Sequence, residues 1–175
     1  MVRIPLLPAD LSEPREAVQA ARARRGGELA RIDRLLLYSP PVAFGWSTHC
    51  GAIRTQTKVP ARLRELVTIA VSVLTKHEYE VNTHKPYFFD AGGSQAQFEA
   101  LRDVDKASAD ANLFDETERA SLSLAIEMCR SIDVTDETFA RVQAALGDNQ
   151  SLVELIAIIA TYNMTNRFQK ALDFK

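Results

Sequence analysis

At 175 residues, 46% hydrophobic and 25% charged, the chain has the composition of a globular protein long enough for one domain with a real core. Its formal charge of -2 gives no bulk attraction to nucleic acid or to an anionic membrane, so neither partner is expected and any ligand must be argued from a site. No segment approaches the roughly 18 uninterrupted apolar residues of a membrane span, and the start of the chain lacks a secretion-type pattern, which leads us to expect a cytoplasmic protein. Cys50 and Cys129 are far apart and form no C-x-x-C pair, which argues against a disulfide framework or a thiolate metal site.

Pro5, Pro8 and Pro14 make residues 1–14 an extended arm leading into a helix that begins near Ser12. That helix breaks at Gly26-Gly27, and the arginines of "AARARRGGE" read as a solvated face. Leu29, Ile32, Leu35 and Leu36 recur at helical spacing, and Pro40-Pro41 stop one helix and start the next, which carries Phe44, Trp46, His49 and Ile53. "ARLRELVTIAVSVLTK" has apolar residues around most of the cylinder, the mark of a helix buried on several sides. "HEYEVNTHKPYFFDAGG" follows with almost no linker and stops at Gly92-Gly93. Ser94 with Gln97 forms a capping box, Asp115 or Thr117 opens a further helix, Thr135 opens another that ends at Gly147, and a last helix runs from about Ser151 to Phe174. No strand alternation is visible, so the fold class is all-α, in a single domain over residues 1–175.

Chemically, the chain is loudest at "HEYEVNTH", residues 77–84. At about 100° per residue, His77, Glu80 and His84 share one helix face while Glu78 and Asn82 point elsewhere. The preceding helix brings Glu65, with Thr68 and Ser72 on or near the same side, and a carboxylate there is expensive unless paired or near the surface. Four readings compete: surface ion pairs, with Glu80 bound to His84 and Glu65 to Arg62 or another arginine; acid-base catalysis; a zinc or iron shell; and cysteine nucleophilic catalysis. The spacing is neither H-E-x-x-H nor E-x-x-H, and no thiol is nearby, which weakens the last two. Trp46 and His49, one helix earlier, can line a pocket or fill the core. Asn163, Asn166 and Arg167 lie in an apolar helix as hydrogen-bonding groups, and Arg167 or Arg54 can grip a substrate carboxylate.

"LRELVTIAVSVLTKHEYEVNTH", preceded by "VP-AR" and followed by "AGGSQAQFEAL", resembles the carboxymuconolactone decarboxylase family, within the alkylhydroperoxidase-D-like superfamily. The resemblance covers residues 40–103, and "ATYNMTNRF" looks like the closing helix of longer members. It implies an all-α homo-oligomer, a trimer or hexamer, with its site near a subunit interface. In the peroxidase branch, the glutamate, the two cysteines of C-x-x-C and the histidine fall on Glu65, His77, Glu80 and His84, so both redox sulfurs are missing. The decarboxylase branch carries glutamate and histidine at Glu80 and His84; Glu65 departs from it. The resemblance therefore implies a cofactor-independent lyase or isomerase without thiol peroxidase activity. Glu65, Glu80 and His84 are its catalytic candidates, and His77, Trp46, His49 and Arg167 its substrate-binding candidates. No metal is expected, and the substrate is a small carboxylated or lactone-like molecule. Two alternatives stand beside it: a non-catalytic ligand-binding or assembly protein on the same fold, and a metal enzyme using His77, Glu80 and His84.

Overall fold

A computed structural model describes residues 2–175, and among them the secondary structure is helical, with no strand. The chain forms two compact units, one made of the residues up to Thr57 with Ala171–Lys175, the other of Lys58–Lys170.

In the first unit, helices α1 (Arg15–Arg24), α2 (Arg31–Leu36) and α3 (Pro40–Thr55) follow the extended arm. Helix α1 starts three residues later than the Ser12 expectation, because Pro14 sits at its N-cap in extended backbone and its fixed φ suits only the boundary. Of the arginines of "AARARRGGE", Arg25 is exposed as expected, but Arg22 and Arg24 are half-buried rather than part of a solvated face. Asp33, 1% exposed, is paired with Arg24 and Arg25 and accepts the Ala30 N–H, while Arg22 donates to the carbonyls of Ala9, Leu11 and Gly27. These guanidiniums tie the arm and the α1–α2 turn together, because a buried carboxylate needs a partner.

The second unit is built around α4 (Ala61–Leu74), whose Leu66, Val67, Ile69, Ala70 and Val71 are wholly buried. Each of the leucine, isoleucine and valine side chains among them contributes about 1.5–3 kcal/mol by leaving water. Helix α4 packs against α5 (Glu78–Asp90) and α8 (Glu116–Arg130); α8 also packs against α7 (Val104–Ala109) and α9 (Asp136–Leu146). Short α6 (Gln95–Ala100) and long α10 (Asn149–Ala171) complete the unit. The Ser94–Gln97 capping box forms as the sequence requires, Asp115 and Thr135 cap α8 and α9, and Gly147 ends α9 in the left-handed region. Helix α7 was not expected: its six residues carry too short a pattern to read, and only the Asp103 cap marks it.

The turn between α4 and α5 sets the geometry of everything that follows. Lys76 takes φ 55, a left-handed conformation that reverses the chain within three residues, and the His77 N–H bonds back to the Ser72 carbonyl at 2.8 Å. Lys170 of α10 donates to the carbonyls of Thr75 and Lys76, both at 3.0 Å, placing a cation at the negative end of α4.

At the far end of α5, a Cβ built on Gly93 meets the ring of the fully buried Phe88 at 2.3–2.5 Å. Gly93→Ala is expected to cost about 1–3 kcal/mol, since the ring is held on every side and cannot yield. Urea unfolding checks this; an unchanged midpoint would show that Phe88 repacks freely.

Candidate active site

The candidate site lies within the second unit, where α4, α5 and α10 each contribute polar side chains. From α4, Glu65 is 1% exposed, and its Oε2 is 2.6 Å from Nδ1 of His84 on α5. The other ring nitrogen of His84, Nε2, is 3.3 Å from Oε2 of Glu80. Glu80 Oε1 accepts from Nε2 of Gln169 on α10 at 2.7 Å, and Gln169 Oε1 is 2.7 Å from Nε2 of His77. Arg64 approaches Glu65 Oε1 at 3.4 Å, closing the opposite end. The result is a chain Arg64–Glu65–His84–Glu80–Gln169–His77, every member after Arg64 buried.

Local structure explains the alignment. Glu80 and His84 are four residues apart and therefore stack on one face of α5, with His77 at its N-cap one turn earlier. On α4, Glu65, Thr68 and Ser72 form a polar stripe on an apolar cylinder; on α10, Tyr162, Asn166 and Gln169 form another. Tyr162 sets its ring edge-on to His84 at 4.9 Å between centroids, and Asn166 Nδ2 donates to Ser72 Oγ at 3.2 Å and Thr75 Oγ1 at 2.8 Å. Thr68 Oγ1 and Asn166 Oδ1 are buried with no hydrogen-bond partner among the described residues, so each can serve a small polar guest or a water.

Electrostatics follow from the geometry. Burial disfavours a charge on His84, but its hydrogen bonds to Glu65 and Glu80, and their charges, outweigh that and hold its pKa above the ordinary value. Burial likewise disfavours ionised Glu80, yet the bonds from His84 and Gln169 and the charges of His84 and His77 keep its carboxyl below the usual range. The geometry thus favours the imidazolium form of His84 and the carboxylate form of Glu80. The surface-pair reading of the sequence is corrected in its burial: Glu80 and His84 are buried, 5% and 4% exposed, while of the arginines offered to Glu65 it is Arg64 that approaches it and Arg62 pairs with Glu118.

Glu65, His77, Glu80 and His84 are thus brought together as the sequence arranged them. Arg167 is exposed on a neighbouring face of α10 and donates to the carbonyl and side-chain oxygens of Asn163, whose Nδ2 lies 3.2 Å from Cys129 Sγ. Trp46, half-buried, and His49, exposed, sit on successive turns of α3 in the other unit. Gln169 and Tyr162 escaped the sequence reading; the only available signal was that polar groups recur every three or four residues along an otherwise apolar α10. Among the described residues, no group of three or more His, Cys, Asp or Glu is placed to hold a metal ion. The ring nitrogens that face the cluster already carry carboxylate or amide partners.

Residues 40–127 match the model of the carboxymuconolactone decarboxylase family, half of the chain. The chain belongs to this family. No curated protein matches it in sequence. Among solved structures it is similar to an uncharacterised peroxidase-related protein from Silicibacter sp. TM1040, at 16% identity and TM-score 0.80, covering 99% of this chain and 91% of that one. It is similar also to a debrominase in complex with 2,3,4-tribromopyrrole, at 17% identity and TM-score 0.78, covering 100% and 93%. A third likeness is to an alkylhydroperoxidase-D-core, peroxidase-related protein from Ralstonia eutropha JMP134, at 18% identity and TM-score 0.77, covering 99% and 91%. At these identities the likeness is one of fold, and it agrees with the all-helical, alkylhydroperoxidase-D-like architecture expected for a carboxymuconolactone decarboxylase family member.

Proposed function

We propose that this family member is a cofactor-independent acid-base enzyme, a lyase or isomerase acting on a small carboxylated or lactone-like compound. The observation that carries the reading is the buried His84 imidazole held between the carboxylates of Glu65 and Glu80. Such a set stores one proton on the imidazole, with Glu65 fixing the ring and Glu80 placed to pass the proton on. In a decarboxylation, the bond to the carboxyl carbon breaks, carbon dioxide leaves, and the electron pair stays on the substrate as a dienolate. The substrate carbon that lost the carboxyl group takes up the proton of the His84 imidazolium, passed from Nε2 through Oε2 of Glu80, and the neutral imidazole is recharged from solvent before the next cycle.

Thiol peroxidase chemistry lacks support, because neither cysteine is a member of the hydrogen-bonded cluster and burial pushes both thiols up, away from the reactive thiolate. Self-association is part of the same reading. Val153 and Met164, 65% and 42% exposed on α10, offer apolar surface that a second copy would bury. The test is turnover of γ-carboxymuconolactone, followed by ultraviolet absorbance and carbon dioxide release, in wild type and Glu80→Gln. Turnover that falls sharply in the variant supports the assignment; unchanged turnover in the variant removes Glu80 from the chemistry, and none in wild type removes this substrate class.

A further inference from the structure

Gln169 is 2% exposed, and the two ends of its amide meet different groups: Nε2 donates to Glu80 Oε1 and the oxygen faces His77 Nε2, each at 2.7 Å. An amide has fixed polarity, since its NH2 only donates and its carbonyl only accepts. A contact between the Gln169 oxygen and His77 Nε2 therefore requires a proton on that nitrogen. A contact between the NH2 and Glu80 Oε1 requires a bare oxygen there. The reverse orientation of the amide would demand the opposite at both ends at once: a protonated Oε1 on Glu80 and a lone pair on His77.

We propose that Gln169 is a positioning residue of the candidate site, holding His77 as the Nε2–H form and Glu80 Oε1 as an acceptor. Its amide accepts hydrogen bonds and donates them but does not readily carry a proton through, so His77 is linked to the relay in orientation while no proton passes between them. Proton exchange is then confined to Glu65, His84 and Oε2 of Glu80, the carboxylate oxygen that faces the imidazole. The inference rests on the acid-base reading of the site. The groups facing Glu80, His84 and His77 include His77, His84, Tyr79 and Tyr87 from α5 and its N-cap, Glu65 with Arg64 behind it from α4, and Gln169 with Tyr162 from α10.

The test uses the full chain labelled with 15N-histidine, as wild type, Gln169→Leu and Gln169→Glu, read by long-range 1H–15N correlation and by the pH profile of kcat. Wild type is expected to hold His77 with a proton on Nε2 across the pH range. Gln169→Leu is expected to give mixed tautomers at His77. Gln169→Glu keeps an acceptor for His77, so the Nε2–H form persists. It also sets a second carboxylate against Glu80, which moves the acid limb of the profile up by about one pH unit. A merely structural glutamine would lose stability in both variants and change neither tautomer nor limb. A pure Nε2–H form at His77 in folded Gln169→Leu overturns the proposal, as does a different His77 form in wild type. If Gln169→Leu does not fold, Gln169→Glu, nearly equal in shape, decides: an unmoved Glu80 titration overturns the proposal. Tautomers are read without substrate, so a wild type that ignores γ-carboxymuconolactone defeats the functional assignment while the role of Gln169 is still decided.

Discussion

His84→Ala is expected to lower the stability of the folded protein by about 3–5 kcal/mol at neutral pH, the size found when one partner of a buried ionic set is removed. The imidazole is bonded to both Glu65 and Glu80, whose side chains are 2% and 7% exposed. Without it, Glu65 retains Arg64 at 3.4 Å and Glu80 retains the Gln169 amide, and neither partner replaces a cation between them. The two carboxyl groups would then take up protons on folding, so the penalty should shrink as pH falls toward their unfolded values. Under the proposed function, kcat in the same variant falls by about 10²–10⁴, the usual worth of a positioned acid-base group. Urea unfolding at neutral and acid pH, beside turnover, checks both parts. A loss below about 1 kcal/mol would mean that the cluster is solvated and that its charges were never set against burial.

The sequence carried the scaffold of this site further than its closure. Periodicity on α4 and the spacing of Glu80 and His84 on α5 are local properties, so the facing stripes could be read from residue numbers alone. Burial was not legible in the same way. An i, i+4 glutamate–histidine pair has the same spacing on a solvated face as in a core, and only the packing of α4 and α10 over it separates an exposed pair from an imidazolium held at 4% exposure. Gln169 was illegible for a further reason: its partners lie 89 and 92 residues away, and one glutamine in a long helix has no spacing of its own. Asn166, three positions earlier, was noticed because it interrupts an apolar run, yet its partners Ser72 and Thr75 emerge only from the fold. The same limit produced the misreading of Arg24, whose carboxylate partner Asp33 is drawn in by the α1–α2 turn.

The second large effect is a stability optimum imposed by the cluster on the pH axis. His84 has its folded pKa raised above the ordinary 6.5, so its contribution is fully present below about that pH and is lost as pH rises through the folded value. Glu80 has its folded pKa lowered from the ordinary 4.5, so its contribution is present above that pH and is lost as pH falls through the folded value. Both are complete only between about 4.5 and 6.5. Above that window, the wild type should lose at most about 1.4 kcal/mol per pH unit from this histidine until its folded pKa is passed. Other groups titrate as well, so the informative quantity is the difference in unfolding free energy between wild type and His84→Gln, measured from pH 5 to pH 9. Glutamine offers one amide donor in place of two ring donors and cannot take up a proton, so above about pH 6.5 the difference should decline as the wild-type imidazolium deprotonates. A difference that stays flat over this range would place the His84 proton equally in the folded and unfolded chain. At neutral pH the ring would then be mostly neutral in the folded chain as in the unfolded one, and the carboxylates of Glu65 and Glu80 would keep no stored proton on it.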